Sequence, residues 1–200
     1  PGGLDARGAA AGGSPRGALG PAAEEEVSAE QRLQEGRARM GLGCIYRKMG
    51  RTAEAIEHLD AALDAAERAG DEGLQAAALS NLGAAELKDF PVSALQRLTQ
   101  AASLREEQVE QAAEPRAKLA AAYHLGTAKV NLSGALHVQG DRDGAEEGYR
   151  AALEVFEASR NLDSACQVLT NLSNLAEESA SAGGAREAAE VAAGRAAEYR

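Results

Sequence analysis

Residues 81–102 read NLGAAELKDFPVSALQRLTQAA, and three other stretches repeat the phrase: LGCIYRKMGRTAEAIEHLDAAL at 42–63, NLSGALHVQGDRDGAEEGYRAAL at 131–153 and NLSNLAEESASAGGAREAAEVAA at 171–193. Each opens on a Leu followed by a small residue: Leu42-Gly43, Leu82-Gly83, Leu132-Ser133 and Leu172-Ser173, offset by 40, 50 and 40 residues. Apolar side chains recur at helical spacing on both sides of a short turn, and Gly50, Gly140 and Gly183-Gly184 stand where a helix must stop. A recurring step of this length is the mark of stacked supersecondary units, each burying its apolar face against the next. The fold expected is an all-α solenoid of about four helical hairpins, about eight helices, and no strand pattern competes with it.

Working outward from the four phrases, helices are expected near 28–49, 52–69, 72–88, 91–112, 115–139, 142–159, 161–181 and 185–200. Ser28 with Gln31 and Asp143 with Glu146 have the spacing of capping boxes. Pro91 and Pro115 suit a first helical turn, where no amide donor is lost. The ten additional residues between the second and third markers fall around REEQVEQAAE at 105–114, charged and with no breaker before Pro115. Shared between two helices, they would make one hairpin junction project by roughly 7 Å, a knob that a partner could recognise. Residues 1–22 are rich in Gly, Ala and Pro and have almost no large apolar side chain, so they are read as a disordered linker or tail, with the solenoid occupying 23–200. The chain starts on Pro and its helical pattern runs up to Arg200, which suggests a segment of a longer polypeptide.

Composition fits this architecture and excludes several function classes. The 200 residues are 44% hydrophobic and 26% charged but only 3% aromatic, with no Trp, so the core must come from closely approaching helices with Ala and aliphatic side chains. A net charge of −10 argues against nucleic acid and against anionic lipid as partners. No apolar run is long enough to span a membrane and no secretory leader is visible, so a cytoplasmic location is expected, with cytoskeletal or ciliary association a further option. Cys44 and Cys166 have no CxxC spacing and no neighbouring His to activate them, so they read as inert thiols. His58, His124 and His137 lack metal-ligand spacing, and the Gly-containing stretches lack a phosphate-loop pattern. No cofactor, no metal and no enzyme activity are expected.

The paired small residues resemble the tetratricopeptide repeat family, in which a Leu-Gly pair on helix A meets small residues on helix B. Gly43 with Ala55 and Ala62 keeps that pattern, as do Gly83 with Ala94 and Ala101, Ser133 with Ala145 and Ala152, and Ser173 with Ala185 and Ala192. Tyr46, Leu59, Leu98 and Tyr149 fill larger positions, whereas Glu86, Leu175 and Ala189 stand where an aromatic is common in the family. The 40-residue step exceeds the usual 34 and, with GDEGLQAAALSNLG at 70–83, is similar to the long-repeat subclass of kinesin light chain and Pins-type adaptors. The resemblance implies a right-handed α-solenoid that binds other proteins.

In such a stack the A helices line the concave face, which places the residue before each Leu marker toward the groove. Three of these are Asn81, Asn131 and Asn171; Asn174 joins them one turn on, and the first repeat has Gly41 instead. A row of amides can pair with the backbone of an extended peptide, and the resemblance implies that use. The same side chains could instead bond neighbouring helices or water. Flanking candidates for peptide binding are Arg37, Arg47, Lys48 and Lys88, with Glu177 and Glu178 at the opposite end, a polarity that could orient a charged peptide. The Lys-Asn carboxylate clamp of chaperone-binding relatives is incomplete, because Gly41 replaces one of its Asn. The leading function is therefore a protein-binding scaffold for a peptide or partner helix. The alternatives are a structural spacer in a large cytoskeletal or ciliary complex and the sensor repeats of a bacterial signalling regulator.

Overall fold

The computed structural model describes residues 21–198, and side-chain surroundings for 29–181. Seven helices follow one another: α1 (Pro21–Lys48), α2 (Thr52–Ala69), α3 (Glu72–Glu86), α4 (Pro91–Gln111), α5 (Pro115–Val138), α6 (Arg142–Ala158) and α7 (Leu162–Glu198). Each helix packs on the next, and α1 also touches α3 while α3 touches α5, so the first helices of successive hairpins form one continuous seam. Among the described residues there is no strand.

The turns follow local chemistry. Gly50, Gly70 and Gly140 take left-handed φ values of 75°, 67° and 87°, where a side chain would be strained. Asp71 caps α3 by accepting from the Leu74 N–H at 2.8 Å, and Asp141 caps α6 by accepting from the Gly144 N–H at 3.0 Å. The cap of α6 is thus Asp141, two residues before the expected Asp143. Helix α1 begins at Pro21, which leaves Ser28 inside it and puts the end of the expected linker into helix. The rest of that linker, 1–20, lies outside the described residues.

The expected turn at Gly183-Gly184 and the separate eighth helix at 185–200 do not form; α7 continues through both glycines for 37 residues. Two glycines cost about 2 kcal/mol of helix propensity relative to Ala, but they are flanked by Ala, Arg and Glu, all strong helix formers. Three hairpins, α1–α2, α3–α4 and α5–α6, are therefore complete among the described residues, with α7 extending beyond them. The additional residues at 105–114 lengthen the helices as expected: α4 has 21 residues and α5 has 24, against 18 in α2 and 15 in α3.

Small residues decide how closely each hairpin closes. A Cβ on Gly43 would sit 2.5 Å from Leu59 Cγ, and one on Gly83 would sit 2.6 Å from Leu98 Cγ and 2.9 Å from the Ala94 carbonyl oxygen. In the third hairpin Ser133 is fully buried, with its hydroxyl turned back to the Lys129 carbonyl at 2.7 Å. The opposite helix makes room with Gly148, at the position held by His58 and Arg97 in the first two hairpins, and a Cβ there would run into Ser133 Oγ. Each A helix carries a second small residue two turns earlier, a repeat that the Leu markers did not reveal: Gly36, Ala76 and Gly126, all buried. Gly126 admits the ring of Phe156, whose Cε1 would lie 2.6 Å from an added Cβ. The facing residues Ala55, Ala62, Ala94, Ala101, Ala145 and Ala152 are fully buried. On α7 the counterparts Cys166 and Ser173 are both exposed; Ala185 and Ala192 fall where side chains are not described.

The second hairpin closes around a charge. Glu86, one of the residues expected where an aromatic would be common, is only 5% exposed. Its Oε2 accepts from Arg97 Nε at 3.0 Å and from Ser93 Oγ at 2.8 Å, and Arg97 also lies 3.5 Å from Asp60. A buried carboxylate is tolerated because its partners satisfy it.

Candidate peptide-binding site

The seam of A helices holds the candidate site. Asn81 and Asn131 line one cleft of about 200 Å³ between α3 and α5, together with Ser80, Arg105, His124 and Thr127. Both amides already hold the seam. Asn81 Nδ2 donates to the Ala77 carbonyl at 2.9 Å, and its Oδ1 accepts from the Cys44 thiol at 3.4 Å, tying α3 to α1. Asn131 Nδ2 donates to Ser80 Oγ at 3.0 Å, tying α5 to α3. The two ties differ in register: Cys44 lies two residues after its Leu marker and Ser80 two residues before, so α5 docks one turn nearer the start of its neighbour than α3 does. The second N–H of each amide and the Asn131 oxygen have no partner among the described residues and can serve a ligand.

Arg105 was not foreseen, and His124 was expected only as one of three His on the surface or in the groove. Arg105 belongs to the run read as a projecting charged knob, yet it folds back to give Nη2–H to the Gly73 carbonyl at 2.9 Å and Nη1–H to Gln108 Oε1 at 2.7 Å. Burial lowers its pKa, an effect opposed by the nearby Asp71 carboxylate, and it brings a cation to the floor of the cleft. Burial, and secondly the Arg105 charge, hold His124 below the usual imidazole range, so it offers a neutral ring. Gly73 is no signal of this contact in the sequence, since a Cβ there would still lie 4.0 Å from Arg105 Nη1.

The other predicted residues are dispersed. Asn171 is half-buried on α7, and Asn174 lies apart from the Asn81–Asn131 cleft, beside Arg142, Glu177, Glu178 and Ser181. Glu178 meets His137 Nε2 at 2.8 Å and links α7 to α5. Arg37 is drawn to Asp71 at 3.6 Å, at the α2–α3 turn. Arg47 and Lys48 are exposed in the last turn of α1. Lys88 sits just past α3, in a separate cleft with Pro91, Val138 and Gln139. Arg47, Lys48 and Lys88 thus lie at or just past the C-terminal ends of α1 and α3, Arg37 lies within α1 beside Asp71, and none lines the Asn81–Asn131 cleft, which takes its positive charge from Arg105. Of the thiols, Cys44 is half-buried at the seam and Cys166 is exposed on α7.

Comparison with known proteins agrees with the helical phrases. Residues 34–107, from the middle of α1 into α4, match the family model of the tetratricopeptide repeat, which supports a protein of that family. Its repeats commonly mediate contacts between proteins. No curated protein matches the chain. Among the described residues, no helix is long and apolar enough to cross a membrane, and no group of three or more His, Cys, Asp or Glu side chains could hold a metal ion.

Proposed function

We propose that the chain is a non-catalytic protein-interaction scaffold, a right-handed solenoid of the long-repeat tetratricopeptide subclass that holds an extended peptide or a partner helix along the face of α1, α3, α5 and α7. The observation that carries this reading is the polar cleft between α3 and α5, where Asn81 and Asn131 retain unused amide capacity beside Arg105. A helical seam held by packing alone has no need of such groups. Spare donors and acceptors spaced along a stack suit the backbone of an extended segment, and Arg105 adds a carboxylate-compatible point. Asn171, at the corresponding position before the Leu marker of α7, is assigned to the same row in this reading.

The test must separate recognition from the seam, since the same amides serve both. With a peptide partner obtained by affinity capture, replacing Asn81, Asn131 and Asn171 by Ala weakens binding by about tenfold, the cost of one to two hydrogen bonds. Cys44→Ala with Ser80→Ala breaks the same inter-helix ties but spares the amides, and leaves binding within about twofold. Equal losses in both variants, or no loss in either, would count against the groove as the binding face.

A further inference from the structure

We propose a second interaction surface, which meets the Asn81–Asn131 cleft only at His124: an apolar groove with a basic lip, at the edge where α4 passes into α5 and α6 into α7, that takes a segment of another protein presenting a bulky apolar side chain flanked by carboxylates.

The groove follows from the lengthened helices. Residues 116–120, the first turns of α5, are exposed throughout. Beneath them Val109, Leu119, Ala122, Leu125, Val155 and Ala158 surround a cleft of about 410 Å³ that is almost wholly apolar. It runs on, through Leu119 and Ser159, into a second space of about 630 Å³ bounded by Tyr123 on α5 and by Arg160 and Leu162 at the α6–α7 turn. Leu119, Tyr123 and Leu162 are 52%, 44% and 69% exposed, although apolar surface of this kind is favourably removed from water.

Charge selects the occupant. Arg116 and Arg160 border the outer space and Lys118 the inner one, and none of the three has a carboxylate within 4.0 Å among the described residues. Asp163 is the one acid on the rim. On a chain of net charge −10, three unpaired cations around an apolar cleft are a local reversal that favours an acidic visitor.

The backbone adds an independent sign. Three other turns of the stack use Gly where φ is positive, whereas the α6–α7 turn places Arg160 at φ 55°, the one positive-φ residue other than Gly among those described. A side chain in that conformation is strained in a way that Gly would avoid. The turn tolerates this cost and thereby sets a guanidinium on the groove's lip.

Selection of random dodecapeptides displayed on phage tests the assignment, using the full chain as bait and counter-selecting against the Leu119→Glu/Leu162→Glu variant. Both leucines are half or more exposed, so the variant should keep the thermal unfolding curve of the parent. The expected outcome is a set of peptides that join Leu, Phe or Ile to Asp or Glu and bind the variant at least tenfold more weakly. Arg160→Gly should weaken those peptides roughly three- to fivefold, as befits a partly exposed ion pair, while leaving the unfolding midpoint unchanged or higher. Asn131→Ala should leave them unaffected, which separates this surface from the function proposed above. The idea is overturned if the enriched peptides are basic or lack carboxylates, or if Arg160→Gly leaves their affinity intact. It is overturned equally if nothing discriminates parent from variant, or if the groove is occupied by a second copy, seen as a dimer in sedimentation that Leu119→Glu dissociates.

Discussion

Helices α1, α3 and α5 on one side, and α7 on the other, carry the same pair of small residues two turns apart, yet only the first three bury them. In α1, α3 and α5 the pairs Gly36 and Gly43, Ala76 and Gly83, and Gly126 and Ser133 are closed over by the next helix; Cys166 and Ser173 on α7 face outward. A small side chain is therefore a necessary feature of a hairpin and an insufficient one. The chain must also turn back, and Gly183-Gly184 does not make it do so.

Two substitutions test this contrast. The largest effect is expected from Gly83→Leu, whose Cβ meets both Leu98 and the Ala94 carbonyl, a backbone group that cannot move aside cheaply. Urea unfolding should show a loss of about 2–3 kcal/mol, whereas Ser173→Leu on the open face of α7 stays within about 0.5 kcal/mol. Equal losses would mean that α7 is covered much as the others are.

The third hairpin allows a finer test, because there the large and small partners have exchanged helices. Gly148→Ala should cost about 1–2 kcal/mol by crowding Ser133, and Ser133→Gly in the same chain should recover most of that. A double-mutant cycle with no coupling between the two sites would show that they do not share a contact.

The smallest effect concerns pH. Because burial and Arg105 depress the pKa of His124, the unfolded chain takes up its proton first as the solution is acidified. The stability contributed by the neutral ring is complete above the ordinary imidazole pKa of about 6.5 and is lost as pH falls through the lower folded value. His124→Gln should flatten that part of a plot of unfolding midpoint against pH; an unchanged slope would indicate that His124 titrates alike in both states.

The repeated Leu-small phrases were sufficient to place the first six helices, because periodicity and turn chemistry act within a few residues of one another. Pro91 and Pro115 sit at helix starts as their missing N–H groups require, and Gly50 and Gly140 end helices through φ values other residues avoid. Gly183-Gly184 misled because glycine permits a turn without compelling one, and the flanking sequence favours helix. At the site, position before the Leu marker singled out Asn81 and Asn131, which share one cleft, and their hydrogen bonds to neighbouring helices were one of two open readings. Arg105 was beyond reach: its partner Gly73 lies 32 residues away, and only the packing of α4 on α3 brings them together. Arg47 and Lys48 stand outside that cleft for a related reason, since residing on an A helix fixes neither how far along it a side chain stands nor which end it serves.

The amides of Asn81 and Asn131 have a mechanical consequence. They fasten adjacent repeats at fixed registers and are also the groups a ligand would engage. A ligand that captures them fully must unfasten the stack, and a force that stretches the stack must first break the same bonds. If the proposed peptide engages these amides, the repeat array would act as a spring with releasable clasps, in which occupancy alters stiffness and tension alters affinity.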